Sequence, residues 1–428
     1  MQKHLRKLKK SLKKAILWYL QQLVRIRLRR LKPEIIGVTG SVGKTSTKEA
    51  IYHVLSRRFQ VLRNQKSYNT EFGILLAILE QESGFSSPLL WCGTLWKATM
   101  TALFDKTPYQ KMVLEMGVDK PGDMNFLLKI VKPHIGILSA IKPIHLAEGQ
   151  FKNLEEILKE KSKLVKGMNK GNWAILNLDD HYLSSIVADL DANVITYGLS
   201  EGADIRVSEV ESNEKGLSFN LNFDQKDIPV HLPQLIGRHH IYVVLPAIAV
   251  GFLAGFKWET IKAGLEDFTL PPGRMNLLKG AEGSVIIDSS YNASPATMFA
   301  ALEVLSELKP AGVGRRIAAL GNMNELGDLT DSEHRRVGKE VGKIADMLIT
   351  VGEFAKLYSE ECGLDKSSIW SFMDSKEAGE FLRGRLKPGD VVLAKGSQNK
   401  VRMEKLVKEI MAEPERARDM LVRQEAGW

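Results

Sequence analysis

One stretch of sequence decides the fold of this chain: Gly37-Val38-Thr39-Gly40-Ser41-Val42-Gly43-Lys44-Thr45-Ser46-Thr47. An apolar β-branched pair precedes it and a helical pattern follows it, so it predicts a strand, a glycine turn and the start of a helix. Glycines let backbone N–H groups converge on phosphate oxygens, and a helix N-terminus adds positive partial charge. The sequence therefore predicts a phosphate-binding loop, with Lys44 at the outer phosphates and the hydroxyl of Thr45 or Ser46 at Mg²⁺.

The match to the general pattern G-x-x-x-x-G-K-[ST] is imperfect, because Val38 stands where the pattern has its first glycine. An ordinary Gly/Ser turn that happens to precede Lys44 is the alternative. We favour the phosphate loop because its mechanism requires both the flanking strand and the flanking helix.

The length and composition predict a globular protein of two or three domains, each with its own core, in 428 residues. The two cysteines, Cys92 and Cys362, lie far apart and outside any C-x-x-C pattern. This indicates a reducing compartment, without a disulfide framework or a zinc cluster. The chain has no apolar run long enough for a transmembrane helix, and we find no internal repeat.

The net charge of +9 is concentrated in one segment of the chain. Residues 1–33 contain twelve Lys/Arg and no acidic residue, whereas the remainder carries 48 basic and 51 acidic residues. This basic arm repeats apolar residues near helical spacing, at Leu5, Leu8, Leu12, Ile16, Leu20 and Leu23, with Trp18 and Tyr19 beside them. The pattern suits an anionic membrane surface, or equally a helix packed on its own domain with a solvated basic face. Nucleic acid is a third, less favoured partner, because no nucleic-acid module accompanies the charge.

After Pro33 the pattern alternates between strands and helices, which predicts an α/β fold with a mostly parallel sheet. We predict strands at residues 35–39, 60–63, 112–116, 135–140 and 173–176, helices at 45–57, 71–80, 124–130 and 154–166, and an antiparallel excursion at 203–232. A second, Rossmann-like α/β series follows the turn at Pro271-Pro272-Gly273, with strands at 285–288, 316–320, 347–351 and 391–394. The expected domains are a basic helix at 1–33, a central ATP-binding domain at 34–270 and a C-terminal domain at 271–428.

Several polar residues stand at the ends of predicted strands, where α/β folds place their ligands. Glu115 ends one strand and is placed to coordinate Mg²⁺ in the same sheet as the loop. Asn177 and Asp180 follow another strand and could hold a base or ribose. By themselves, the loop residue His145 and the helical Lys161 would be surface side chains, while Arg274 at the domain junction could reach phosphate.

The motifs and their order along the chain resemble those of the Mur ligase family. The shared motifs are Thr39-Gly40-Ser41-Val42-Gly43-Lys44-Thr45-Ser46, Asn69, Glu115-Met116-Gly117, His145, Lys161, Asn177-Leu178-Asp179-Asp180, Gly237-Arg238-His239 and Pro272-Gly273-Arg274-Met275. The C-terminal half is similar to the members that add D-alanyl-D-alanine to the cell-wall precursor. The motifs there are Asp288-Ser289-Ser290-Tyr291-Asn292-Ala293-Ser294-Pro295, Leu320-Gly321-Asn322-Met323-Asn324-Glu325-Leu326-Gly327 with His334, and Lys395-Gly396-Ser397.

The resemblance implies an ATP- and Mg²⁺-dependent ligase that activates a carboxylate as an acyl phosphate and joins it to an amine in peptidoglycan biosynthesis. By position, the implied catalytic residues are Lys44, Lys161, His145 and Arg274, with Lys161 carbamylated by CO₂. The implied metal-binding residues are Thr45, Glu115, His145 and Lys161. The implied nucleotide-binding residues are Thr39, Gly40, Ser41, Gly43, Lys44, Thr45, Ser46, Asn69, Asn177, Asp180 and Arg274.

The chain departs from the family pattern at several positions. Ala140, His240, Val243, Ser289 and Asn322 stand where the pattern has other polar residues, which affects nucleotide contacts more than the chemistry. Residues 1–33 do not resemble the family's N-terminal domain, which holds the UDP end of the precursor. The carboxylate substrate is therefore expected to be held differently, or to be a different molecule.

The leading hypothesis is addition of D-alanyl-D-alanine to a muramoyl-tripeptide precursor, with ATP, the peptidyl carboxylate and the dipeptide as small-molecule partners. Two alternatives stay open: a Mur-like ligase for another carboxylate and amine, and a nucleotide-binding scaffold docked at a membrane. We expect a cytoplasmic protein, peripheral at the inner face of the cell membrane if the basic arm binds lipid, and no nucleic-acid partner.

Overall fold

The computed structural model describes residues 2–64, 69–83, 87–224, 226–398 and 400–424, with the backbone alone for residues 2–10 and 88. The chain divides into two compact units. The first comprises residues 1–141, 154–206 and 242–268, and the second comprises residues 142–153, 207–241 and 269–428. The domain boundaries expected from sequence, at 33/34 and 270/271, stay a prediction.

The phosphate-loop motif lies in a sheet of nine strands in the order β2-β3-β1-β4-β5-β6-β7-β8-β9. Strands β1 to β6 are parallel to their neighbours, as predicted, whereas β8 and β9 form an antiparallel pair within the predicted excursion. Strands β1 and β4 are almost wholly buried, which explains their continuous apolar sequences. The strands are β1 Glu34–Thr39, β2 Val61–Arg63, β3 Lys111–Glu115, β4 Ile135–Leu138, β5 Trp173–Asn177, β6 Asn193–Gly198, β7 Ile205–Asn213, β8 Gly216–Phe223 and β9 Lys226–Leu232.

The helices of this part of the chain follow or connect the strands. They are α1 Gln2–Leu31, α2 Lys44–Leu55, α3 Glu71–Ile78, α4 Pro88–Phe104, α5 Asp123–Ile130, α6 Leu154–Lys161, α7 Lys163–Lys166, α8 His181–Ser184, α9 Ile241–Leu253 and α10 Trp258–Glu266. The helix predicted at 154–166 is interrupted at Ser162, between α6 and α7. Helices α4, α8, α9 and α10 and strand β6 had no counterpart in the sequence prediction.

The second unit contains a mixed sheet of six strands in the order β10-β11-β15-β12-β13-β14. Only β10 is antiparallel to its neighbour, so the predicted Rossmann-like α/β series is confirmed. The strands are β10 Asn276–Lys279, β11 Val285–Ser289, β12 Arg316–Gly321, β13 Met347–Val351, β14 Ile369–Phe372 and β15 Val391–Lys395. The helices are α11 Pro295–Glu307, α12 Thr330–Ile344, α13 Lys356–Glu361, α14 Ser375–Arg383, α15 Glu404–Ile410 and α16 Ala417–Met420.

The predicted basic helix is α1, and its second half packs on the first unit. Leu20, Leu23 and Val24 are buried there, together with Arg27. The Arg27 guanidinium donates to the Ile78 carbonyl at 2.5 Å, and it forms ion pairs with the carboxylates of Glu80 and Asp105, both at 2.5 Å. This half of α1 is therefore a packed helix, one of the alternatives left open by the sequence. The predictions for the side chains of residues 1–10 lie outside the described side chains. No described helix is long and apolar enough to cross a membrane.

Candidate active site

The loop between β1 and α2 has the backbone geometry that its glycines predict. Gly40 has φ 146°, and a Cβ there would lie 2.0 Å from the Ser139 Oγ. Gly43, the residue directly before α2, has φ 82°, which lies in the left-handed region that glycine favours. The amide of Ser41 donates to the Ala140 carbonyl at 2.7 Å, and the Ser139 hydroxyl donates to the Val42 carbonyl at 2.6 Å. The loop is thus held from the end of β4.

Lys44 is the first residue of α2, and its ammonium group is folded back over the loop. The Nζ atom donates to the Gly40 carbonyl at 2.8 Å and to the Ser41 carbonyl at 3.4 Å. These contacts hold the cation at the N-terminus of α2, where anions are favoured. The next residue, Thr45, directs its hydroxyl to the end of β3, whereas Ser46 and Thr47 are buried.

Glu115 lies at the carboxyl end of β3 and meets the loop through Thr45. The Thr45 hydroxyl donates to the Glu115 Oε2 at 2.8 Å, and the Asn69 side-chain amide donates to the Oε1 at 2.9 Å. Gly117 allows this approach, because a Cβ there would lie 2.7 Å from the Asn69 side chain. The structure therefore brings together three predicted site residues around one carboxylate.

Asn64 is a further residue of this cluster that the sequence prediction missed. Its side chain accepts from the Glu115 amide at 2.8 Å and donates to the Glu115 carbonyl at 3.1 Å, so it fixes the backbone of that residue. Asn64 directly follows β2, and β2 lies beside β3. The strand-end argument that identified Glu115 would have identified Asn64 as well.

Lys161 ends α6 and is fully buried, unlike the surface lysine that its local sequence suggests. Its Nζ donates to the Val118 carbonyl at 3.2 Å. Burial, followed by repulsion from Lys44, lowers the pKa of Lys161 to about 7. The amine therefore sits near the phosphate loop with a large neutral fraction at neutral pH.

Asn177 and Asp180 lie where β5 ends. The Asn177 amide donates to the Ser139 carbonyl at 3.2 Å. Asp180 caps α8: its Oδ1 accepts from the Tyr182 and Leu183 amides, while its Oδ2 accepts from the Ile141 amide at 2.9 Å. Both residues therefore brace the loop-bearing end of the sheet, and their predicted contacts with adenine stay a prediction.

His145 belongs to the second unit and pairs there with Glu325. The Nδ1 atom of His145 lies 2.8 Å from the Glu325 Oε2, and this hydrogen bond lowers the pKa of Glu325. Donation from Nδ1 leaves the lone pair at Nε2, the arrangement in which a carboxylate orients a metal-binding histidine. The sequence motif contained Glu325, but nothing in the sequence paired it with His145.

Arg274 also lies in the second unit, stacked over the Tyr291 ring with its guanidinium carbon 4.0 Å from the ring centre. Nearby, Lys395 is buried and donates to the Ser289 hydroxyl at 3.0 Å and the Asn292 carbonyl at 2.8 Å. Burial, and then repulsion from Arg274, lowers the pKa of Lys395 to about 7. Burial raises the pKa of Asp288 to about 6, against the hydrogen bonds from Ser290. The sequence motifs contained Lys395 and Asp288 without assigning them a site role.

The departures from the family pattern have local structural roles. Ala140 contributes its backbone carbonyl to the loop, where it accepts from the Ser41 amide. The His240 Nδ1 lies 2.5 Å from the Ile236 carbonyl, and burial lowers the pKa of its ring to about 4. The Asn322 Oδ1 accepts from the Phe354 and Ala355 amides, while Ser289 partners Lys395. Nothing in the structure explains Val243 beyond its burial.

The residues around Glu115 fit a magnesium ion. The donor set is one carboxylate and one hydroxyl, and Mg²⁺ usually takes one or two carboxylates with substrate phosphates and water. Within the described residues, no group of three His, Cys, Asp or Glu side chains could hold a metal by itself. The set therefore fits a metal that arrives with a phosphate ligand better than a metal held by protein ligands alone.

Comparison with known proteins agrees with this geometry. The Mur ligase middle domain matches residues 38–251, and the Mur ligase glutamate ligase domain matches residues 273–398. The UDP-N-acetylmuramoyl-tripeptide–D-alanyl-D-alanine ligase of Synechocystis is 31% identical over 89% of this chain and 75% of the relative. The ligase of that name from Bacillus subtilis is 27% identical over 92% and 79%, respectively.

Solved structures of related ligases share the fold of this chain. MurF ligase from Thermotoga maritima in complex with ADP has a TM-score of 0.77 at 26% identity, covering 94% of this chain and 84% of that chain. Folylpolyglutamate synthase from Mycobacterium tuberculosis, complexed with ADP, shares the fold at a TM-score of 0.62 and 14% identity, covering 88% and 92%. This chain belongs to the Mur ligase family of ATP-dependent amide ligases.

Proposed function

We propose that this ligase joins the carboxylate of a muramoyl-tripeptide cell-wall precursor to the amine of D-alanyl-D-alanine. The observation that carries the proposal is the cluster of Lys44, Thr45 and Glu115 at the N-terminus of α2. The dipeptide is supported by the names of relatives that are 27% and 31% identical over most of this chain. The sequence motifs of the second unit, which include the buried Lys395, resemble those of the family members that add this dipeptide.

The proposed reaction has two steps. An oxygen of the substrate carboxylate attacks the γ-phosphorus of ATP, which forms an acyl phosphate and releases ADP. The dipeptide amine then attacks the acyl carbon, the amide bond forms, and inorganic phosphate leaves with the electrons of the broken C–O bond. The amine loses one proton in this step.

The residues of the first unit are suited to the first step. Backbone N–H groups of the loop and the Lys44 ammonium stabilise the charge on the transferred phosphoryl group. Lys44 reaches it by exchanging its bonds to the Gly40 and Ser41 carbonyls for phosphate oxygens. Mg²⁺ held by Thr45 and Glu115 would supply further neutralisation of phosphate charge. Asn64 and Asn69 keep the Glu115 carboxylate in place for that role.

Three further residues have proposed roles that follow their family positions. The buried Lys161 is proposed to carry a carbamate, which changes a cation into an anion able to face a metal. His145 is proposed to offer its Nε2 to a second divalent metal, with Glu325 orienting the ring. Arg274 is proposed to contact phosphate, since a guanidinium can bind two phosphate oxygens at once.

The test is phosphate release by the full chain with ATP, Mg²⁺, the muramoyl-tripeptide precursor and D-alanyl-D-alanine. We expect release that needs both substrates, and a new amide product by mass spectrometry. Lys44→Ala should abolish turnover, because the loop loses its cation, whereas Lys166→Ala should be near normal because that lysine is exposed on α7.

Other outcomes would overturn parts of the proposal. Turnover with a different amine or carboxylate would replace the substrate assignment while keeping the ligase. ATP binding without turnover on any tested pair would indicate a nucleotide-binding scaffold. A Lys44→Ala variant of normal rate would remove the phosphate-loop assignment itself.

A further inference from the structure

Helix α4 turns an apolar face to solvent. The exposed fractions are 85% for Leu89, 67% for Trp96, 41% for Leu103 and 64% for Phe104, whereas Ala98 and Ala102 on the other side are buried. Leu89, Trp96 and Leu103 are spaced seven residues apart and share one helix face, on which Gly93 is exposed and Met100 is half-buried. An exposed apolar stripe of this kind, unlike a single exposed leucine, marks an interaction surface.

Helix α1 lies beside α4 and adds to this surface. The Tyr19 and Thr99 hydroxyls are 2.8 Å apart, and the Arg30 guanidinium donates to the Ala102 carbonyl at 2.5 Å. Along its exposed side, α1 presents Leu12 at 59% and Trp18 at 63% exposure. We call the exposed residues of α1 and α4 together the α1/α4 surface.

The charge of the α1/α4 surface has a single sign. Neither helix contains an acidic residue, and Lys97 is the charged residue of α4. Beside α1, a cavity of about 430 Å³ is lined by the basic side chains Arg25, Arg29, Lys32, Lys129 and Lys132, by His134, and by the apolar residues Leu28, Pro33, Ile35 and Ile130. No ion pair within the described residues involves these five cations. The His134 Nδ1 accepts from the Ile35 amide at 3.0 Å, so the neutral ring carries its proton on Nε2 and adds a donor.

We propose that the α1/α4 surface docks on an anionic lipid bilayer. The apolar stripe of α4 enters the interface between headgroups and acyl chains, where tryptophan is favoured, and the cations of α1 meet lipid phosphates. The basic cavity receives one such phosphate. A second copy of the chain fits less well, because a two-fold contact through this surface would place cations of one α1 against those of the other.

The sequence alone assigned membrane binding to residues 1–33, but Leu20, Leu23 and Val24 of this segment are part of the core of the first unit. Deleting the basic helix would therefore unfold the unit and could not test docking. The apolar contact comes chiefly from α4, and substitutions at exposed positions can test it in the full chain.

The experiment is co-sedimentation of the full chain with vesicles of phosphatidylcholine, alone or mixed with phosphatidylglycerol. We expect binding to the mixed vesicles only. Raising the salt from about 0.1 M to about 1 M should release the protein, because the screening length falls from about 10 Å to about 3 Å. Leu89→Glu and Trp96→Glu should each weaken binding about tenfold or more, because an apolar side chain is lost from the lipid contact. Each of Arg25→Ala and Arg29→Ala should weaken it about fivefold.

The matched control is Met373→Glu, which places the same charge at an apolar residue that is 73% exposed outside α1 and α4. It should bind as the unchanged chain does. Circular dichroism checks that every variant is folded. Equal binding of the Leu89→Glu and Met373→Glu variants, or no binding of the unchanged chain at low salt, would overturn the proposal. So would a dimer in lipid-free solution that Leu89→Glu dissociates, because the surface would then be a contact between copies.

Discussion

Lys161 and Lys395 show how single residues acquire chemistry from burial. Both are almost fully buried, and burial is the main cause that lowers each pKa to about 7. A buried lysine whose pKa lies near 7 is partly neutral at neutral pH, and neutral amines are nucleophiles.

For Lys161 we predict a carbamate in the active protein. The neutral amine attacks CO₂, a C–N bond forms, and one proton is released to solvent. Protein prepared with ¹³C-bicarbonate should show a carbamate signal that is missing in Lys161→Ala but present in Lys166→Ala. Lys161→Ala should be nearly inactive and partly restored by small carboxylic acids at high concentration. A fully active Lys161→Ala variant would contradict the prediction.

For Lys395 we predict a dependence of stability on pH. Its pKa is about 7 in the folded chain against 10.5 as the ordinary value, so between these values only the unfolded chain holds the proton. Stability should therefore rise with pH through this window, by about 2 kcal/mol between pH 7 and pH 9 for this one group. Urea unfolding of Lys395→Met should show that much less of a rise than the unchanged chain. Lys387→Met, at an exposed lysine, should keep the full rise; an equal loss in both variants would refute the assignment.

The site was predictable from sequence where chemistry is local in the chain. The phosphate loop and Glu115 follow from residues at the end of a strand. The local sequence did not single out Lys161 from the neighbouring lysines. Lys159 and Lys166 are exposed while Lys161 is buried, and only the rotation of α6 and the break at Ser162 decide which lysine faces inward. The pairing of His145 with Glu325 spans 180 residues, a separation at which sequence spacing carries no information.

Among the elements, α1 shows that a strongly basic helix can be part of a core. Of its predicted apolar face, Leu20 and Leu23 are buried while Leu12 is exposed, and the burial of Arg27 was not expected, because arginine is rarely buried unless paired. One partner, Glu80, lies at the end of the helix predicted at 71–80, whereas the other, Asp105, directly follows α4, which the sequence prediction missed. Helix α4 was missed for a related reason: its apolar face is exposed, so its pattern does not point to a core.

We predict that Arg27 is essential for the packing of α1. Arg27→Ala should lower the free energy of unfolding by about 1–3 kcal/mol, because it removes the buried cation that bonds the Ile78 carbonyl and two partly exposed carboxylates. Arg29→Ala, two residues along on the exposed side, should change it by less than about 0.5 kcal/mol. Urea unfolding and trypsin sensitivity of α1 would measure both. Similar values for the two variants would show that Arg27 does not anchor the helix.

At the scale of the whole molecule, charge and chain path are unevenly arranged. The first 33 residues hold twelve of the 60 basic residues, so the body of the protein is close to neutral. The chain also passes repeatedly between the two units, since residues 142–153 and 207–241 group with the second. The alternation of strands and helices predicted both sheets, but it carried no signal for this assignment of segments.

The last prediction uses the whole chain to separate nucleotide binding from catalysis. A ligand that binds only the folded state stabilises it, by about 2.7 kcal/mol at a hundred times its dissociation constant. ATP with Mg²⁺ should therefore raise the thermal midpoint of the unchanged chain and of Lys166→Ala. It should leave Lys44→Ala unshifted, because the bonds of Lys44 to the loop carbonyls show that its ammonium already lies at the phosphate loop. An equal shift in Lys44→Ala would mean that nucleotide binds elsewhere on the protein, whereas a normal shift without turnover on any substrate pair would mean that the family's loop has been kept for binding alone.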